Sequence, residues 1–190
     1  MFCEEKVAQM AAYLLLKRGG RMAYLKLMKL LYLANRQSLI TFGHMMADDA
    51  LYSLPHGPVM SNTLALMREK SGVSGEHWYR LLQTENHDLV LRDDPRNMDT
   101  DEVFDVLSRA DIRILDDVYS KFGHMNRFEL RDMTHLKTLC PEWHDPGHSR
   151  LPIDKKEILI SVGKSKEEVE NIIHAMNDAE KLKEFSSQLA

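Results

Sequence analysis

Apolar residues recur at three- and four-residue steps along most of the chain, the spacing of one face of an α-helix. Residues 4–18 form the first such segment, closed by Gly19-Gly20. The second, 22–42, is apolar around most of its circumference. Tyr24, Leu27, Met28, Leu30, Leu31, Leu33, Leu39 and Ile40 leave only a narrow polar stripe of Lys26, Lys29, Arg36 and Gln37. A helix of that kind is central, packed by several neighbours. Asn35 points away from the stripe, which predicts a buried amide bonded to irregular backbone nearby.

Residues 47–57 read as extended and end in Leu54-Pro55-His56-Gly57-Pro58, with Pro58 at the first position of a helix over 58–70. Residues 77–83 and 88–92 predict a β-hairpin across 84–87. A helix framed by Asp99 and Glu102 runs to Gly123, and Asn126 with Glu129 opens another to about Leu139, where Pro141 stops it. A Pro/His-rich loop, 140–152, precedes a short helix over 154–162. Ser165 with Glu168 has the form of a capping box for a last amphipathic helix carrying Ile172, Met176, Leu182 and Phe185. The expected fold is mainly α, a compact single-domain helical fold with a small β-hairpin. The segment 165–190 is expected as a C-terminal amphipathic helix packed on a domain spanning 1–165. Phe-Gly-His-Met occurs at 42–45 and 122–125 in unlike surroundings, so each copy reads as a helix end with a glycine cap.

Composition narrows the function. At 190 residues, 44% hydrophobic and 28% charged, the chain can build a core and is not a disordered tail. A net charge of −4 weighs against a dedicated nucleic-acid binder. Residues 1–47 nevertheless hold seven Lys and Arg against two Glu, a basic end that an acidic partner could read. The two cysteines, Cys3 and Cys140, make no disulfide framework and suit a reducing cytosol. The run from Ala11 to Leu16 is too short for a secretory signal, and no stretch reaches membrane-spanning length, so a cytoplasmic protein without a membrane partner is expected.

Little chemistry is encoded by spacing. Gly163-Lys164-Ser165 matches the tail of a phosphate-binding loop, but Ile158 stands where that motif needs glycine. His56 has no nucleophile or carboxylate tied to it. His135, Cys140, His144 and His148 are zinc-competent types, which makes a metal-dependent enzyme the alternative reading. Their spacing matches no closed zinc motif, and Pro146-Gly147 keeps His144 and His148 off one helix face. A DNA-binding regulator using the basic end is a further alternative. No cofactor or catalytic residue is assigned.

Lys26-Leu27-Met28-Lys29-Leu30-Leu31-Tyr32-Leu33-Ala34, then Gly43, then Leu54-Pro55-His56-Gly57-Pro58-Val59, resembles the Panacea domain of SocA-like bacterial antitoxins. That family pairs a K-L-x-K-L-L-Y-x-A helix with an extended segment ending in G-P-V. Many members carry Trp-x-Tyr before G-P-V where this chain has Leu54-Pro55-His56. The resemblance is tight over about 24–60 and looser to about 165. It implies an antitoxin that binds and neutralises a cognate protein toxin, with delivery to a AAA+ protease such as ClpXP also in the family's repertoire. Leu27, Leu30, Leu31, Tyr32, His56, Gly57, Pro58 and Val59 are then structural. Toxin choice falls to variable surfaces, for which Trp78, Tyr79, Lys26, Lys29 and Arg36 are the candidates. The face joining the hairpin to the 58–70 helix is the expected dock, the other placement of Trp78 and Tyr79 being a cover over the core.

Overall fold

The computed structural model describes residues 2–69 and 75–188. Nine helices and two small antiparallel sheets are found among them. Helix α1 (Glu4–Lys17) and helix α2 (Tyr24–Phe42) flank strand β1 (Arg21–Ala23). A β2–β3 hairpin (Leu51–Leu54, Gly57–Met60) leads into α3 (Ser61–Met67). Next come α4 (Glu76–Leu81), a β4–β5 hairpin (Leu82–Glu85, Asp88–Leu91), α5 (Thr100–Val103), α6 (Arg109–Phe122) and α7 (Arg127–Thr134). Strand β6 (Leu151–Pro152), α8 (Lys155–Ser161) and α9 (Lys166–Gln188) complete the chain. One sheet has the order β1-β5-β4 and the other β3-β2-β6. The mainly α reading with small β elements holds.

Helix α2 is the central element, as its all-round apolarity predicts. It packs on α1, α6, α7, α8 and β3, and Leu27, Leu30, Leu31 and Tyr32 are all fully buried. Gly43 ends it in the left-handed conformation (φ 73°), which an L side chain resists. Asn35 is buried, and its Oδ1 accepts from the Ala47 amide at 3.2 Å, the irregular backbone expected for it. The second Phe-Gly-His-Met ends differently, since Gly123 keeps right-handed helical angles.

Several expectations shift. Pro58 opens no helix: it lies in β3, paired with Ser53, and α3 begins at Ser61. Proline is tolerated there because β3 is an edge strand and no ladder partner needs its missing N–H. The buried Asp49 carboxylate caps α3 from outside, accepting from Asn62 N and Thr63 N at 2.9 Å each. Residues 77–81 are helical, so the hairpin is shorter than predicted and turns at Asn86-His87. The long helix expected from 99 to 123 breaks after Val103, and a capping box on Ser108 and Asp111 restarts it as α6. Helix α7 has the Asn126–Glu129 box but stops at Thr134.

Helix α9 starts on the expected capping contacts between Ser165 and Glu168. Val169 is buried and Ile172 packs over Gly43, yet Leu182 and Phe185 remain 67% and 61% exposed. Its apolar stripe is therefore covered only along the first turns. No helix among the described residues is long and apolar enough to cross a membrane.

Candidate functional site

The polar stripe of α2 turns inward. Lys26, Lys29 and Arg36 lie along the helix at three- and seven-residue steps, so their stems follow one line toward the second half of the chain. Lys26 Nζ donates to the carbonyls of Gly123 and Met125 at 2.6 Å each, holding the end of α6. Lys29, 0% exposed, donates to the Pro58 carbonyl at 2.8 Å. Arg36 Nε donates to Glu142 Oε1 at 2.8 Å, and Tyr32 Oη reaches the same oxygen at 2.7 Å. The stripe read as a solvated surface is a set of internal ties. The reason is physical: the groups that receive these three side chains lie 29 to 106 residues further along the chain.

Burial governs the protonation of this core. Loss of water lowers Lys29 to about 7, against a small opposing effect of Cys140 and a small reinforcing one of Arg131. Desolvation lowers Lys26 as well, with Arg18 adding to it. The same loss of water raises Cys140 to about 12, so it stays a thiol, and holds Tyr32 as a phenol. His135 is pushed down by burial and then by Lys29 and Arg131. The Lys29 Nζ, Thr134 Oγ1 and His135 Nε2 atoms converge on the α-carbon of Gly57, where a Cβ would stand 2.8, 2.7 and 3.2 Å from them.

The predicted zinc-competent residues do not meet. The His135 ring lies against Trp143 with centroids 4.3 Å apart, Cys140 is buried beside Glu142, His144 lies 3.6 Å from Glu157, and His148 is exposed. Among the described residues no group of three or more His, Cys, Asp or Glu could hold a metal ion. The loop over 140–152 is instead a strap on the β2–β3 hairpin. Trp143 Nε1 donates to Leu54 O at 3.1 Å, and Leu151 and Pro152 pair with Ser53 and Tyr52.

Of the five expected interface side chains, Lys26, Lys29 and Trp78 are buried and Arg36 is tied to Glu142. Trp78 is 0% exposed in α4, whose first turn is capped by the Glu4 carboxylate of α1. Tyr79, beside it, is 36% exposed. The accessible relief lies elsewhere. Cavities of about 470, 370 and 280 Å³ run side by side along α7, the start of α2, the β2–β3 hairpin and α3. Phe128 separates the first from the second, and Arg68 lines both the second and the third. Phe128 is half exposed and flanked by the guanidinium groups of Arg127 and Arg131, 4.8 and 5.4 Å from its ring centre. Arg18, Arg21, Arg127, Arg131, Arg68 and Arg150 all line this face, where the single lining carboxylate among the described residues, Asp88, is bonded to Arg21 at 2.8 Å. A separate cleft of about 710 Å³ has the opposite sign, with Glu5, Asp93, Asp94, Asp99, Glu102 and Asp105 among its lining residues. Phe128, Arg68 and Arg131 carry no sequence signal, because α3 and α7 meet only in the folded chain.

A helical core, internal polar ties and shallow charged relief together define a mainly α domain with small β elements. The chain belongs to the antitoxin SocA-like, Panacea domain family, whose family model matches residues 27–144, more than half of its length. No curated protein and no solved structure matches it.

Proposed function

We propose that this protein is the antitoxin of a bacterial toxin–antitoxin module and neutralises its cognate protein toxin by binding it directly. The family match over residues 27–144 carries this reading. The fold supports it in one respect: Lys26, Lys29 and Tyr32 of the motif spend their polar groups on internal partners, leaving the exposed surface free to vary without loss of the core. The docking face we assign is the basic, aromatic concave surface around Phe128, because interfaces draw on Arg and aromatic anchors and both are concentrated there.

Co-expression with the product of the neighbouring gene tests the proposal. Growth arrest by that product, relieved by this protein with recovery of a complex of the two, is the expected result. A harmless neighbour that never binds overturns it. Repeating the rescue in cells lacking ClpXP separates direct masking, which persists, from protease delivery, which fails.

A further inference from the structure

Among the described residues, the middle cavity of the concave face, about 370 Å³, is lined by four of basic type, Lys29, His56, Arg68 and Arg131, and by no acidic one. Lys29 lies beneath its floor: a fully buried side chain whose Nζ donates to the neutral Pro58 carbonyl. Arg131 has a carboxylate, Asp132 at 2.6 Å, but that group points to solvent and Lys29 gains nothing from it in the way of a direct bond. Tyr24 and Phe128 give the cavity aromatic walls, and Leu25, Val59 and Leu64 an apolar lining. A guanidinium that receives a carboxylate between aromatic and apolar walls makes strong, directional, bidentate bonds.

We propose that this cavity is a carboxylate socket, which takes an Asp or Glu side chain of the protein partner between Phe128 and Tyr24 and sets it against Arg68 and Arg131, above the buried Lys29. The assignment rests on the antitoxin reading only for the identity of the partner. A nucleic-acid backbone offers the same negative charge, but its phosphates follow an extended track. A compact pocket of this volume fits a single side chain, and the acidic cleft around Asp94 and Glu102 repels a long polyanion.

Titration of the isotope-labelled full-length protein with a blocked tri-glutamate peptide, followed by NMR at physiological salt, is the test. Saturable shifts at Lys29, Phe128 and Arg131, absent with the tri-glutamine peptide, are expected. Arg68→Glu, an exposed substitution, should weaken the peptide by about tenfold or more, and Arg80→Glu, outside the cavity, by less than about twofold. Arg131→Gln should weaken the response as well, and Arg68→Glu keeps the test decisive if that variant does not fold. Equal response to both peptides, no saturable response, or an unchanged Arg68→Glu variant overturns the socket, as does duplex DNA that outcompetes the peptide at the same residues. Toxin capture that survives Arg68→Glu without peptide binding removes the socket and leaves the antitoxin reading. Peptide binding without toxin capture does the reverse.

Discussion

The ammonium of Lys29 and the carbonyl of Pro58, 2.8 Å apart, join the two halves of the family motif. The helix supplies the donor and the G-P-V strand the acceptor. Gly57 keeps the path between them clear, since any side chain there would occupy the space that Lys29 Nζ and Thr134 Oγ1 approach.

Gly57→Ala is therefore expected to unfold the protein before it affects any partner. Its φ of +91° disfavours an L residue by about 1–2 kcal/mol, and the new methyl would also press on Thr134 and Lys29. Chemical denaturation should show a loss of at least about 2 kcal/mol. Adding Lys29→Met should soften the Gly57→Ala penalty, a non-additivity that a double-mutant cycle reads directly. An unchanged melting temperature with lost toxin binding would place Gly57 at the interface instead.

Lys29 also sets a pH dependence. Its folded value, near 7, lies below the ordinary lysine value of 10.5, so the unfolded chain binds more protons between those limits. Stability should then rise with pH across that window, by up to about 1.4 kcal/mol per pH unit. Below pH 7 both states are protonated and the contribution is flat. Urea titrations from pH 7 to 9, below the range where the raised Cys140 and Tyr32 act in the opposite sense, should show this rise in the wild type and its absence in a folded Lys29→Met variant.

The Arg36–Glu142 pair predicts an asymmetry. Glu142 is buried, and Arg36 supplies its compensating charge at 2.8 Å. Arg36→Met should cost about 3–5 kcal/mol by stranding that carboxylate. Joining it with Glu142→Gln should recover part of the loss. Equal destabilisation by the single and double variants would sink this account.

Trp78 and Tyr79 should separate cleanly. Trp78→Ala removes a fully buried indole and should cost about 3–5 kcal/mol. Tyr79→Ala should fold as the wild type and still capture the toxin, because the concave face around Phe128 lies outside α4. Loss of capture by folded Tyr79→Ala would move the interface to that helix.

What could be read from the chain followed from local rules. The all-round apolarity of α2, the Gly43 stop, the Asn126–Glu129 box and the Ser165–Glu168 contacts each depend on a few neighbouring residues. Lys26 and Lys29 were misplaced because charge alone does not reveal whether a carbonyl from Gly123 or Pro58 will arrive to receive it. Trp78 fits the alternating pattern of a strand as well as a helix, and only the Glu4 cap from α1 settles it as helical. The cavity at Phe128 has no local signature at all. It is built from α2, α3, α7 and the β2–β3 hairpin together.

The span of the Tyr32–Glu142 contact, 110 residues, has a consequence for how the protein is made. Helix α2 leaves the ribosome long before Glu142 exists, and at about 5–20 residues per second the gap lasts on the order of ten seconds. During that time Lys29 can meet the Pro58 carbonyl, but Lys26 and Arg36 have only water to bind until their later partners emerge. A nascent or prematurely ended chain thus carries the complete motif helix but none of its late partners, and remains a substrate for proteases until the strap from Cys140 to Pro152 has emerged.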